Sequence, residues 1–222
     1  MGVHMNFSRP QQWVAIAGIA VLIAACSDAP SILAPSLQPP SATLHSVTVP
    51  YLKANPGYHL GTQVVAWAGS HGNAQYSVSA FITAAAGGTI SLPGADFSIT
   101  FPPGALSQDL TITVVALGGA SVAYDFLPHG TQFNVPVVAT QQLGNTSVGN
   151  LTGLVPPLYA GYLPDGYETI SSTGGALALE IETSTTIFNL SGTPVTQVWY
   201  LNHFSRYILG SNDATATSDS GA

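Results

Sequence analysis

Gly87-Gly88-Thr89-Ile90-Ser91-Leu92-Pro93-Gly94-Ala95-Asp96-Phe97-Ser98-Ile99-Thr100-Phe101-Pro102-Pro103-Gly104-Ala105-Leu106 sets two short alternating runs among three turn signals. Residues 89–92 alternate polar and apolar, and Phe97, Ile99 and Phe101 repeat the pattern, which is the period of two expected of half-buried antiparallel strands. Pro93-Gly94 and Pro102-Pro103-Gly104 punctuate the two runs. The same style of sequence continues on both sides, and no stretch of the body carries a sustained helical period. Residues 97–101 and 158–163 read as strands, as do 62–67, 167–170, 177–183 and 204–209, at the short spacing of a sandwich. Pro164-Asp165-Gly166 is a turn with a mechanism, since proline presets φ and glycine accepts a positive one. The predicted fold class is all-β, an antiparallel β-sandwich.

Composition agrees with this. The chain of 222 residues is long enough for one domain with a full core. Only 6% of residues are charged, so the solvated surface has to be rich in hydroxyls and amides, while nine Tyr, eight Phe and three Trp supply a packed interior. Arg9, Lys53 and Arg206 are the only basic residues against ten acidic ones. No basic stripe exists to neutralise phosphates, which argues against nucleic acid as a partner.

Residues 13–25 form an apolar run after a short region whose single charge is Arg9. That length suits the core of a signal peptide and falls short of the ~20 residues that a spanning helix needs. The run ends at Cys26, the only cysteine in the protein. Leu22-Ile23-Ala24-Ala25-Cys26 resembles the bacterial lipobox. The resemblance implies that the Cys26 thiol is alkylated by a diacylglycerol, that the chain is cut before it, and that lipid on Cys26 anchors the protein to a membrane. Ser27 rather than Asp follows the cysteine, which by analogy implies the outer membrane of a bacterial cell envelope. Pro30, Pro35, Pro39, Pro40 and Pro50 then mark an extended tether. The expected layout is a signal peptide over 1–25, lipidated cysteine and tether over 26–50, sandwich over 51–209, and an unstructured tail over 210–222 without large apolar residues.

The quoted stretch also resembles the opening of the ZU-five domain, a β-sandwich module named for zonula occludens proteins and netrin receptors of the uncoordinated-five type, and found in ankyrins. Phe126-Leu127-Pro128-His129-Gly130-Thr131-Gln132-Phe133-Asn134-Val135-Pro136-Val137 looks like the family's mid-domain phrase. Asn202-His203-Phe204-Ser205-Arg206-Tyr207 looks like its closing strand. The three phrases occur in the family's order, and the resemblance covers about 87–209. Residues before Gly87 lie outside it, and their strands either extend the sandwich or pair with an edge. In animal proteins the domain is a scaffold, not an enzyme acting on other molecules, and no partner of those scaffolds is carried over. The implied function is a lipid-anchored, non-catalytic binding or structural module whose partner is an envelope protein or a glycan. Some family members cut themselves between the Phe and Ser of a His-Phe-Ser tripeptide, so the resemblance raises His203, Phe204 and Ser205 as self-cleavage residues. Strand alternation offers a second account, in which Phe204 enters the core while His203 and Ser205 point the other way.

Catalytic constellations are sparse. The chain has no Gly-x-Ser-x-Gly elbow, P-loop, dinucleotide fingerprint or His-Glu-x-x-His helix. His45, His59, His71, His129 and His203 are isolated, with no pair at a ligand spacing, so no metal and no cofactor is expected. His129 is expected to orient its own turn. Leu177, Leu179 and Ile181 alternate with Glu180 and Glu182, which puts both carboxylates on the wet face of a strand. The alternative function is a secreted carbohydrate-binding or carbohydrate-active domain. It would need His129, Glu180 and Glu182 to converge, or Trp67, Trp199, Tyr159 and Tyr162 to form a stacking platform.

Overall fold

A computed structural model describes residues 45–71, 74–152 and 155–218, with side chains described through Ser211. The expected signal segment, Cys26 and the tether before residue 45 lie outside the described residues. Within the described residues the alternating runs become fifteen strands. The first five are β1 (His45–Val49), β2 (Leu52–Lys53), β3 (Tyr58–Val64), β4 (Tyr76–Ile82) and β5 (Gly88–Leu92). Next come β6 (Phe97–Phe101), β7 (Leu110–Ala116), β8 (Ala123–Leu127), β9 (Gln132–Gln142) and β10 (Leu158–Leu163). The last are β11 (Gly175–Ala178), β12 (Glu180–Ile181), β13 (Ser184–Phe188), β14 (Pro194–His203) and β15 (Arg206–Ser218). A single 3₁₀ turn, Pro93–Ala95, joins β5 to β6, and no helix of the described residues is long and apolar enough to cross a membrane.

The strands form two antiparallel sheets. One has six strands in the order β1-β13-β14-β9-β6-β5. The other runs β2-β12-β10-β15-β8-β7-β4, with β3 laid along the later part of β15 and β11 on β3. Together they make the all-β sandwich that the alternation predicts. In the quoted stretch Ile90 faces Ile99 and Leu92 faces Phe97 across the β5–β6 ladder. Gly87 opens the hairpin at φ +68, where an added Cβ would lie 2.0 Å from the Phe101 carbonyl oxygen, so a residue with a side chain does not fit. Ile90, Ile99, Phe101, Phe126, Trp199, Phe204 and Tyr207 meet between the sheets and are almost fully buried. A second apolar cluster, including Leu60, Tyr159, Leu163, Ala178, Ile181 and Ile208, packs on the far side of the nine-stranded sheet. That sheet is therefore covered on both faces at its centre, which is why β10 reads as nearly continuous apolar sequence.

Several boundaries differ from expectation. Residues 45–49, expected at the end of the tether, form β1 and pair with β13 over His45↔Phe188 to Val49↔Ser184. The segment before Gly87 joins both sheets, since β4 pairs with β7 in the second. Residues 167–170 form no strand. At the other end β15 continues past 209, expected to be the last ordered residue, and reaches Ser218 by pairing with β3. The ladder is made by backbone groups, and an exposed edge of β3 can satisfy them whether or not the added side chains are apolar.

Most relevant to function is the step between the sheets. β14 ends at His203 in one sheet and β15 begins at Arg206 in the other, so Phe204 and Ser205 cross the gap. Three backbone bonds hold the crossing. The Phe204 N–H donates to the Thr131 carbonyl at 2.8 Å, the Gly130 N–H to the Phe204 carbonyl at 3.0 Å, and the Phe126 N–H to the Ser205 carbonyl at 3.1 Å. The mid-domain phrase and the closing phrase, far apart in sequence, thus meet at one corner.

Candidate functional site

Beside this corner opens a cleft of about 340 Å³, lined in part by Lys53, His129, Tyr162, Glu180, His203 and Ser205. Its floor follows from strand register. Lys53 lies opposite Glu180 across β2–β12, Glu180 opposite Tyr162 across β12–β10, and Tyr162 opposite Tyr207 across β10–β15. Directly opposed residues of neighbouring strands point to the same face. One row of polar side chains therefore runs across four strands, and Glu182, two residues beyond Glu180, lies on that face too.

The expected wet face at 180 and 182 is overturned. Glu180 is 8% exposed and Glu182 0%. β11 stops at Ala178 and β12 restarts at Glu180, while Leu177 and Leu179, expected inside, are only half-buried. The small Ala176 and Ala178 are the buried members of this run. An added Cβ on the neighbouring Gly161 would sit 3.2 Å from that of Ala178, so the strands pack too closely there for a leucine to replace it. Glu180 tolerates burial because Lys53, the only lysine in the chain, reaches its Oε1 at 2.5 Å.

His203 comes from the opposite sheet. Its Nε2 stands 3.7 Å from Glu180 Oε2, and its ring meets Tyr162 edge-on at 4.7 Å. The Tyr207 hydroxyl is 3.3 Å from His203 Nδ1, 3.1 Å from the His203 carbonyl oxygen and 3.4 Å from Glu182 Oε1. Its one proton serves these acceptors in turn. The two carboxyls are driven apart electrostatically. The His203 ring, with Lys53 and Tyr51 as further donors, holds the Glu180 carboxyl at about 2. Burial, reinforced by the charge of Glu180, pushes Glu182 up to about 7. Tyr51 is pushed up to about 12 by burial and by the Glu180 carboxylate.

On the second wall His129 Nε2 contacts Asp125 Oδ1 at 2.6 Å, and Arg206 donates to Asp125 Oδ2 at 3.1 Å. His129 thus ties its turn back to β8. Of the three residues the alternative function requires, His129 and Glu180 line the cleft, whereas Glu182 lies closed off from solvent. The aromatic platform does not form, because Trp67, Trp199 and Tyr159 are core residues and only Tyr162 reaches the cleft. Phe204 fills the core at 1% exposure, Ser205 is 5% exposed, and His203 and Ser205 both line the cleft.

The sequence pattern does not point to Lys53 or Tyr207, and it suggests Tyr162 only as part of a stacking platform. A faint signal existed for Lys53, since a lone lysine in a chain so poor in charge has few partners to choose from. Neither a protein-family model nor a curated protein matches the chain.

Proposed function

We propose that the protein is a lipid-anchored binding or structural module of the bacterial cell envelope, with a ZU-five-like sandwich that acts on no other molecule and cuts itself once, between Phe204 and Ser205. The observation that carries the self-cleavage is the Gly130 N–H, already 3.0 Å from the Phe204 carbonyl oxygen. A donor in that position is what a tetrahedral oxyanion at Phe204 requires. Attack of Ser205 Oγ on the Phe204 carbonyl carbon forms a C–O bond. Collapse breaks the Phe204–Ser205 C–N bond, leaving an ester at Oγ and a free Ser205 amine that takes up a proton. Water then opens the ester to a Phe204 carboxylate and the restored hydroxyl. His203, next to Phe204 in the chain, and the Tyr162 phenol, which lines the same cleft as Ser205, are the groups at hand to move the hydroxyl proton. After the cut β15 remains wedged between β10 and β8, so the two fragments stay associated.

Intact-mass measurement and a denaturing gel test this part. The parent protein should separate into a fragment ending at Phe204 and one beginning at Ser205, while Ser205→Ala gives a single full-length species. An uncut parent after prolonged incubation at mildly alkaline pH sinks self-cleavage. Anchoring is tested separately by membrane fractionation, in which Cys26→Ser should move the protein to the soluble fraction. A variant that remains lipidated and membrane-bound contradicts the anchor at Cys26.

A further inference from the structure

Glu180 and Glu182, two residues apart, and His203, from the opposite sheet, each offer a ligand atom to one point, and these atoms lie within 4.8 Å of one another. One oxygen of each carboxylate is engaged by a neighbour. Glu180 Oε1 accepts from Lys53 at 2.5 Å, and Glu182 Oε1 accepts from Tyr207 at 3.4 Å. Glu182 Oε2 is different. It is buried, belongs to a residue with 0% exposure, and has no hydrogen-bond partner. A carboxylate oxygen removed from water without compensation is costly, and native proteins pair such groups or place them on a metal.

We propose that Glu180, Glu182 and His203 hold one divalent transition-metal ion, of the zinc or manganese class. Two carboxylates and an imidazole are a mixed oxygen and nitrogen donor set, which suits these ions, whereas calcium and magnesium favour oxygen alone. The neighbours act as metal-site supports commonly do. Lys53 and Tyr207 each occupy one oxygen of a carboxylate, which fixes its orientation. The cleft beside Glu180 and His203 leaves room for water or a further ligand to complete the coordination. Local sequence spacing gives no sign of this set because its members meet only through sheet register and the crossing at Phe204–Ser205. The site needs no cut between Phe204 and Ser205, since Ser205 supplies no ligand, although it shares His203 with the self-cleavage proposed above.

The test is titration calorimetry on the full chain in detergent after chelator treatment, using Zn²⁺, Mn²⁺ and Ca²⁺ as probes. Zn²⁺ should bind at one ion per chain and more tightly than Ca²⁺. Glu182→Gln and His203→Gln should each weaken Zn²⁺ by about 100-fold or more, beyond the loss typical of a supporting residue. His45→Gln, altered on the edge strand β1, should bind like the parent. Unfolding midpoints in chelator establish that each variant is folded. A Co²⁺ complex of the parent should show visible ligand-field absorption that Glu182→Gln abolishes. No stoichiometric Zn²⁺ binding, equal binding by the parent and both ligand variants, or Ca²⁺ bound as tightly as Zn²⁺ would overturn the proposal, leaving the cluster as an ion network around a protonated carboxyl.

Discussion

Phe204→Ala should lower folding stability by about 4 kcal/mol, the scale of removing a large buried aromatic side chain. Phe204 is 1% exposed at the crossing between the sheets. Its ring stacks on Phe126 at 5.4 Å and meets Phe133 edge-on at 4.8 Å and Phe101 at 5.9 Å. These neighbours come from β8, β9 and β6, so no single strand can move to fill the space. The cavity would lie where the chain passes from one sheet to the other. Phe204→Leu, which retains most of the volume, should cost about 1.5 kcal/mol or less. Urea unfolding of both variants, with the parent's slope preserved, measures the difference. A loss below about 1 kcal/mol for the alanine variant would mean that the three backbone bonds at Gly130, Thr131 and Phe126 hold the crossing by themselves.

The second large effect depends on pH. Glu182 titrates at about 7 in the fold against an ordinary value of 4.5, so the folded protein keeps a proton that the unfolded chain releases. Its contribution to stability is therefore neutral below about 4.5, becomes unfavourable as pH rises, and is complete above about 7. At about 1.4 kcal/mol per pH unit, the loss amounts to about 3 kcal/mol. Glu180 works in the opposite sense: held at about 2, it stabilises the fold above 4.5 and loses that contribution as pH falls toward 2. Glu182→Gln removes only the first dependence. In chelator, so that no divalent ion neutralises the carboxylate, the variant should match the parent within about 0.5 kcal/mol at pH 4 and exceed it by about 3 kcal/mol at pH 8. Denaturant unfolding across that range decides the matter. Parallel curves for the two proteins would mean that Glu182 is ionised at no cost.

What could be read locally was read well. Residues 97–101 and 158–163 are strands in the fold with the same limits: the first because a period of two is complete within five residues, the second because a short apolar run ends at the Pro164-Asp165-Gly166 turn. The Pro164-Asp165-Gly166 turn forms too, with Gly166 at φ +87 and Tyr167 N–H donating to the Pro164 carbonyl at 3.0 Å, although no strand follows it. Phe204 goes to the core, although it lies at the crossing between β14 and β15 and not within a strand. Parity along one strand is equally local, but β11 ends at Ala178 and β12 restarts at Glu180, so no single alternation runs through this stretch, and Ala178 and Ile181 pack in the same cluster. Which parity faces inward is another matter, since that depends on what covers each face. Here the nine-stranded sheet is covered on both, and the small Ala178 lets β11 approach β10 closely. The glutamates go inside because Lys53 and His203 arrive from other strands to meet them.

The chain by itself determined its alternating strands, its turns, its all-β class and the lack of a basic surface, since all of these depend on residue type and near neighbours. The tertiary structure alone decided that β15 runs on along β3, that the two family-like phrases share a corner, and that Lys53, Glu180, Glu182, Tyr207 and His203 converge. The physical reason is that a buried carboxylate is tolerable only beside a compensating donor or cation, and the arrival of that partner is set by long-range register between strands, which no short window of sequence contains.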